Sequence, residues 1–210
     1  MQQTGSLDTR VAAAIGGLSD PTLKAGFVDG ILENLRGIER QITGLLKVTL
    51  LAMVVFELVS RASVPEVDVG PVKVTDLSLV QKCLPALIAY FYNQLVALFS
   101  MRIQLLRIHR EAVKNLAKPI YDNDLEDYVV PYSWFNTEDI FTQFTGSAFF
   151  ANITMPIKFL IVALPIAFLL YAYCRCFAAF GIYDVLLWLS VALSTLLAVQ
   201  GVMFFASQQK

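Results

Sequence analysis

The sequence predicts an all-α integral membrane protein with four transmembrane helices, a long N-terminal cytoplasmic helix and a short extracytoplasmic β-hairpin. Apolar residues (AVILMFWYC) form 57% of the 210-residue chain and charged residues only 16%, whereas soluble domains are about 25% charged. A core of this chain length cannot bury such an excess. Four long stretches are almost free of charge, which predicts four spans. Basic residues are concentrated on one side of these stretches, which predicts their orientation.

The four predicted spans differ in how well they exclude charge. The stretches 83–101 and 185–206 contain no charged residue, and the second of them exceeds a hydrocarbon core of about 30 Å at a rise of about 1.5 Å per residue. The stretch 159–174 is shorter, but Lys158 and Arg175 flank it and can extend to the interfaces. The stretch 45–60 contains Lys47 and Glu57, so a soluble amphipathic helix is its alternative interpretation.

These spans divide the chain into a series of predicted segments. In order they are a polar tail (1–19), an amphipathic cytoplasmic helix (20–44), the first span (45–60), a hairpin loop (61–82), the second span (83–101), a basic helix and acidic-aromatic connection (102–158), the third span (159–174), an outer loop (175–184), the fourth span (185–206) and a C-terminal end (207–210). The polar start, MQQTGSLDTR, lacks the apolar region of a signal peptide. We therefore expect the internal spans to direct insertion.

A continuous helix is predicted from Asp20 into the first span. Asp20-Pro21 is typical of an N-cap followed by proline at the first helical position, and apolar residues then recur at helical spacing without a breaker. Four glycines interrupt this helix at a cost of about 1 kcal/mol each relative to alanine: Gly26, Gly30, Gly37 and Gly44. We expect them to mark a helix-packing or oligomer interface, with a bendable helix lying on the membrane surface or a chance pattern as alternatives.

The distribution of lysine and arginine predicts the orientation. With residue 1 inside, the inner segments hold eleven basic residues: Arg10, Lys24, Arg36, Arg40, Arg102, Arg107, Arg110, Lys114, Lys118, Lys158 and Lys210. The outer segments hold four, namely Arg61, Lys73, Lys82 and Arg175. Both termini are therefore predicted to be cytoplasmic, in a plasma (inner) membrane. In the 102–118 helix, Arg102, Arg107, Arg110, Lys114 and Lys118 are predicted to anchor the chain at the membrane surface.

Two connections have patterns of their own. Valines alternate with Asp68 and Lys73 around Gly70-Pro71, which predicts either a hairpin or an extended loop. The cytoplasmic stretch 121–144 interleaves acidic and aromatic residues, and its DNDLED run resembles a calcium loop only superficially, because the positions that need glycine and glutamate hold Asp127 and Ser133. We interpret this stretch as a solvated acidic face with interfacial aromatics.

Few residues inside the predicted spans could carry chemistry. The possible pore-lining or intramembrane polar residues are Glu57, Lys82, Asn93, Gln94 and Gln200, and Glu57 and Lys82 are expected to pair. Such amides more often bond a neighbouring helix. His109 is expected to be a solvated helix-face residue, Cys174 and Cys176 incidental thiols, and Cys83 a core residue. We expect no catalytic residue, metal site or cofactor, because no nucleophile, metal or phosphate motif occurs.

The predicted function follows from this architecture and the empty set of motifs. We expect a non-enzymatic, oligomerising subunit that anchors or assembles a membrane complex, with the lipid bilayer and either a second copy or a membrane-complex partner as its contacts. The net charge of −1 does not favour nucleic acid as a partner. An oligomeric ion channel or pore is one alternative. A small transporter or intramembrane enzyme without a recognisable motif is another.

Overall fold

A computed structural model describes residues 7–17, 19–61, 67–69, 72–74, 77–116, 119, 122–123, 130 and 148–207 of the chain. In these residues five helices and two short strands follow in the order α1 (Leu7–Gly17), α2 (Pro21–Ser60), β1 (Val67–Val69), β2 (Val72–Val74), α3 (Leu77–Leu116), α4 (Ala148–Phe180) and α5 (Val185–Ser207). Lys118, most of the 121–144 connection and the last three residues lie outside this description.

The start of α2 and the end of α4 show how local residues fix the bounds of a helix. A carboxylate oxygen of Asp20 accepts hydrogen bonds from the backbone N–H of Thr22 at 2.8 Å and from its hydroxyl at 2.7 Å, so Asp20 caps α2. The Thr22 hydroxyl, and then its amide, hold the pKa of Asp20 below its usual value. At the other end, Gly181 follows α4 with a φ of 80° and donates its N–H to the Phe177 carbonyl at 2.9 Å, as in a glycine C-cap.

The chain divides into two compact units, and α2 and α3 contribute to both. Unit 1 comprises Met1–Gln41 and Leu98–Lys158. Its core joins Val11 and Ile15 of α1 to Leu35 of α2 and Ala112 of α3. The prediction of a polar tail at residues 1–19 thus missed α1, although the spacing of four between Val11 and Ile15 is the helical spacing that could have revealed it.

Unit 2 comprises Ile42–Ala97 and Phe159–Lys210. Its main cluster contains Phe56, Leu84, Ala172, Cys176 and Leu187, so α2, α3, α4 and α5 all contribute. Phe56 is fully buried and meets the Phe168 ring edge-on, with centroids 5.7 Å apart and planes at 81°. An edge-to-face pair of this kind is a favourable aromatic geometry.

The predicted fold class is wrong in its count of spans and in the weight it gives to the hairpin. Within the described residues, three helical stretches are long and apolar enough to cross a membrane: Thr22–Ser60, Leu77–Leu116 and Ala163–Phe180. The apolar stretch of α5 found there, Val185–Gly201, is shorter than these three. The chain is all-α, with five described helices rather than four spans and one cytoplasmic helix.

In the region predicted as an extracytoplasmic β-hairpin, the described strands have only three residues each. They are too short to make the hairpin part of the fold class. The described strands form a ladder of three residue pairs, in which Val67 lies opposite Val74 and Val69 opposite Val72. A lone pair of such short strands has little stability in water.

Candidate functional site

The four predicted interface glycines of α2 do not pack against the other residues that the structure describes. A Cβ built at Gly26, Gly30, Gly37 or Gly44 meets no atom within 4 Å outside its immediate helical neighbours. At about 100° per residue, these positions lie on average about 130° around the helix from the core residues Ile31, Leu35 and Ile38. The glycines therefore form no close helix contact within the described protomer, and their use between subunits stays a prediction.

Charged residues share this glycine face in unit 1. Asp29, Glu33, Arg36 and Arg40 are exposed and, with Leu32 and Gly37, line a shallow groove of about 440 Å³. Among the described residues, no ion pair within 4 Å involves these four side chains. We call the set formed by the four glycines and these four charges the outward face of α2: Gly26, Asp29, Gly30, Glu33, Arg36, Gly37, Arg40 and Gly44.

The predicted membrane-surface anchor is corrected at Arg102. Its guanidinium pairs with the Glu39 carboxylate, and only 8% and 15% of the two side chains are exposed, so Arg102 joins α3 to α2 within unit 1. Arg107, Arg110 and Lys114 are exposed, as an anchor requires. His109, expected to be solvated, is 1% exposed. Both misplaced residues lie on the side of α3 that packs in unit 1, which the run of basic residues obscures.

The predicted pair between Glu57 and Lys82 is replaced by two other ion pairs. Glu57 accepts a hydrogen bond from Nε of Arg61, one helical turn further on, at 3.1 Å. Lys82 lies 2.5 Å from Asp184, in the α4–α5 connection, and its ammonium is 4.4 Å from the centre of the Phe180 ring. The remote partners Asp184 and Phe180 could not be identified from the sequence around Lys82.

Asp184 links the start of α3 to the start of α5. One of its carboxylate oxygens faces Lys82, and the other accepts the backbone N–H of Leu187 at 3.0 Å, which caps α5. The hydrogen bond from Lys82, and then that from Leu187, hold the pKa of Asp184 below its usual value. This contact is a structural clamp within unit 2, and sequence reasoning missed it.

Of the remaining polar residues of the apolar helices, Asn93 lies at a helix contact in unit 2. A Cβ on Gly201 would lie 3.0 Å from Oδ1 of Asn93, so α5 approaches α3 closely at this glycine. Gln94 is half-buried and Gln200 is exposed. Gly201 stands alone in the uncharged stretch of α5, which is the signal that could have singled it out.

A hydroxyl cluster that sequence reasoning also missed joins α4 to α5. The Tyr173 hydroxyl lies 3.1 Å from Oγ of Ser190 and 2.5 Å from Oγ of Ser194, and it donates to the Ser190 carbonyl at 2.9 Å. Both serines are buried. Their spacing of four puts them on one helix face, which was visible in the sequence.

The cysteines are free thiols in the described protomer. Cys176 is buried, whereas Cys83 and Cys174 are exposed, which corrects the expectation that Cys83 is a core residue. Among the described residues, no group of three or more histidine, cysteine or acidic side chains is arranged to hold a metal ion.

Comparison with known protein families, curated proteins and solved structures gives no match to this chain.

Proposed function

We propose that this chain is a non-enzymatic multi-pass membrane subunit that oligomerises through the outward face of α2. The observation that carries the proposal is the open space beside all four glycines of that face. Each glycine costs a helix interior about 1 kcal/mol relative to alanine, and no contact among the described residues offsets that cost. The backbone of a neighbouring helix, approaching where side chains are missing, offsets it.

The charges of the outward face support contact with another copy. Asp29 and Glu33 precede Arg36 and Arg40 on the same side of the helix, so one face carries both signs. Basic side chains of one copy can then reach acidic side chains of its neighbour across the glycines. Opposite charges placed in this way select the partner and its register more than they raise the affinity.

The contacts of the polar intramembrane residues favour this role over a pore. Glu57 and Lys82 each neutralise a nearby partner within unit 2. Asn93 faces Gly201 of α5. Side chains that line a water-filled path instead share one lumen.

The three candidate spans indicate a membrane protein, and the proposal adds an orientation. The start of α2 and the end of α3 carry exposed basic residues, including Arg36, Arg40, Arg107 and Arg110. Because inner loops carry an excess of lysine and arginine, we place these helix ends on the cytoplasmic side of the plasma membrane.

The oligomeric state in mild detergent and in nanodiscs tests the proposed function. Gly30→Leu combined with Gly37→Leu adds bulk where the protomer has open space, so the fold is retained while a close helix partner is displaced. We expect native mass spectrometry to show an oligomer for the wild-type chain and an association at least tenfold weaker for the variant, which corresponds to about 1.4 kcal/mol.

A matched control keeps this test specific. Ala198→Leu adds the same side chain at an exposed position of α5, which is not part of the outward face of α2, and is expected to leave the oligomer intact. A wild-type chain that is strictly monomeric in both media contradicts the proposal, as does a double variant that associates as tightly as wild type.

A further inference from the structure

A second groove, in unit 2, lies between α2 and α4. It has a volume of about 310 Å³, near the lower end of the range for small-molecule pockets. Its walls are apolar, formed by Met53, Val54, Leu58 and Phe168, and Glu57 and Arg61 are its polar lining residues. Phe168 is held by its edge-on contact with the buried Phe56 ring.

The lining changes from apolar to polar along the axis of α2. Arg61 directly follows the last residue of the helix, Ser60, whereas Met53 lies about 12 Å further into the candidate span at about 1.5 Å per residue. The polar end of the groove is therefore at the end of the span, where lipid headgroups lie, and its apolar length extends toward the hydrocarbon.

The dimensions of the groove favour a hydrocarbon chain over a helix. A volume of about 310 Å³ spread over about 12 Å gives a mean cross-section of about 26 Å². An α-helix with its side chains is at least about 10 Å across, a cross-section of roughly 80 Å². One extended acyl chain matches this length and cross-section, whereas a helix of another copy could insert only single side chains.

Arg61 is placed to bind a phosphate at the mouth of the groove. Its Nε donates to the Glu57 carboxylate, one helical turn back on α2, at 3.1 Å. The Arg61 side chain is 70% exposed, and its terminal amino groups make no other hydrogen bond among the described residues. A guanidinium with free donors is well suited to a phosphate oxygen pair.

We propose that this groove binds one acyl chain of a phospholipid whose phosphate is held by Arg61. The site is separate from the outward face of α2 and does not require oligomerisation. The apolar walls hold the chain by van der Waals packing, because its transfer from lipid or detergent tails gains no hydrophobic free energy. Arg61 selects lipids that carry a phosphate.

Retention of defined lipids by the full-length protein tests the proposal. The purified chain is mixed with phosphatidylglycerol, or with diacylglycerol of the same acyl chains, and bound lipid is counted by native mass spectrometry. We expect Arg61→Gln to lower phosphatidylglycerol retention at least fivefold and leave diacylglycerol retention unchanged. Val54→Trp fills the groove and is expected to lower the retention of both lipids.

Two further variants make the outcome decisive. Val48→Trp adds the same bulk at an exposed position of α2 that does not line the groove and is expected to bind lipid as wild type does. Leu58→Trp repeats the filling test if circular dichroism shows that Val54→Trp does not fold. Unchanged phosphatidylglycerol retention in both Arg61→Gln and the folded filling variant overturns the proposal. A filling variant that disperses the oligomer without changing the lipid count also overturns it, since the occupant is then another copy.

Discussion

Three basic residues near the ends of apolar stretches, Arg61, Lys82 and Arg102, each meet a carboxylate in the folded chain. Arg61 finds its partner one helical turn away, a spacing that a helix makes predictable. Lys82 and Arg102 find Asp184 and Glu39, which are remote in sequence. At the scale of the residue, the distant element that packs beside a basic side chain thus decides its role. The side chain either stays at the surface or forms an ion pair with another element.

The Lys82–Asp184 clamp predicts a pH dependence of stability. Because Lys82 lowers the folded-state pKa of Asp184 from its ordinary 3.8, the contribution of this carboxylate is present above the unfolded-state pKa and is lost as the pH falls through the folded-state pKa. Asp184→Asn keeps a side chain that can cap α5 but removes the charge. We expect the variant to melt at a lower temperature than wild type at pH 7.

Melting curves recorded in detergent from pH 7 down to pH 3 check this prediction. The difference between wild type and Asp184→Asn should begin to shrink as the pH falls below about 4, where the carboxylate of the unfolded chain takes up a proton, and should be lost below the lowered folded-state pKa. A difference that stays constant across the range would show that the charge of Asp184 does not stabilise the fold.

At the scale of the element, helix contacts in unit 2 depend on small and hydroxyl-bearing residues. Tyr173 of α4 bonds Ser190 and Ser194 of α5, and Gly201 lets α5 approach Asn93 of α3. Interhelical contacts of this kind hold helices together where hydrocarbon surrounds the chain. Of the glycines in the described helices, Gly201 makes the close contact, and the regularly spaced glycines of α2 make none.

Gly201→Leu is expected to destabilise the packing of α5 on α3. A Cβ at this position is 3.0 Å from Oδ1 of Asn93, and overpacking typically costs about 1–3 kcal/mol. In the Asn93→Ala background the same change should cost much less, because the crowded side chain is gone. Chemical or thermal unfolding of the four chains of this cycle measures the coupling.

Ala198→Leu is the matched control, since it adds bulk at an exposed position of the same helix and should leave stability nearly unchanged. An equal cost of Gly201→Leu in both backgrounds would contradict a direct contact with Asn93.

At the scale of the whole molecule, the three candidate spans lead us to expect the α4–α5 connection on the outer side of the membrane. With the start of α2 in the cytoplasm, α2 and α3 cross outward and back, and α4 crosses outward again. In a chain whose native cysteines are replaced, Tyr183→Cys should react with a membrane-impermeant maleimide on intact cells. Asn34→Cys should react only after lysis.

Both labelling positions are exposed in the structure; Tyr183 has 91% of its surface accessible. The cysteine-free chain supplies the background. Labelling of Asn34→Cys on intact cells, or protection of Tyr183→Cys there, would contradict the proposed orientation.

The sequence alone determined the features that depend on local chemistry. Apolar composition and uncharged length identified a helical membrane protein, and Asp20-Pro21 with the unbroken apolar spacing located the start and the continuity of α2. These features were predictable because a cap, a helical period and an 18-residue apolar stretch each act within a few turns of one chain segment.

Only the tertiary structure decided which faces meet. It turned the glycines of α2 away from the protomer core, buried Arg102 and His109, paired Lys82 with Asp184 and placed the close helix contact at Gly201. The physical reason is that each of these outcomes depends on a side chain tens of residues away. A periodic pattern indicates that a helix has two different faces, but only the packing of the other helices decides which face is buried.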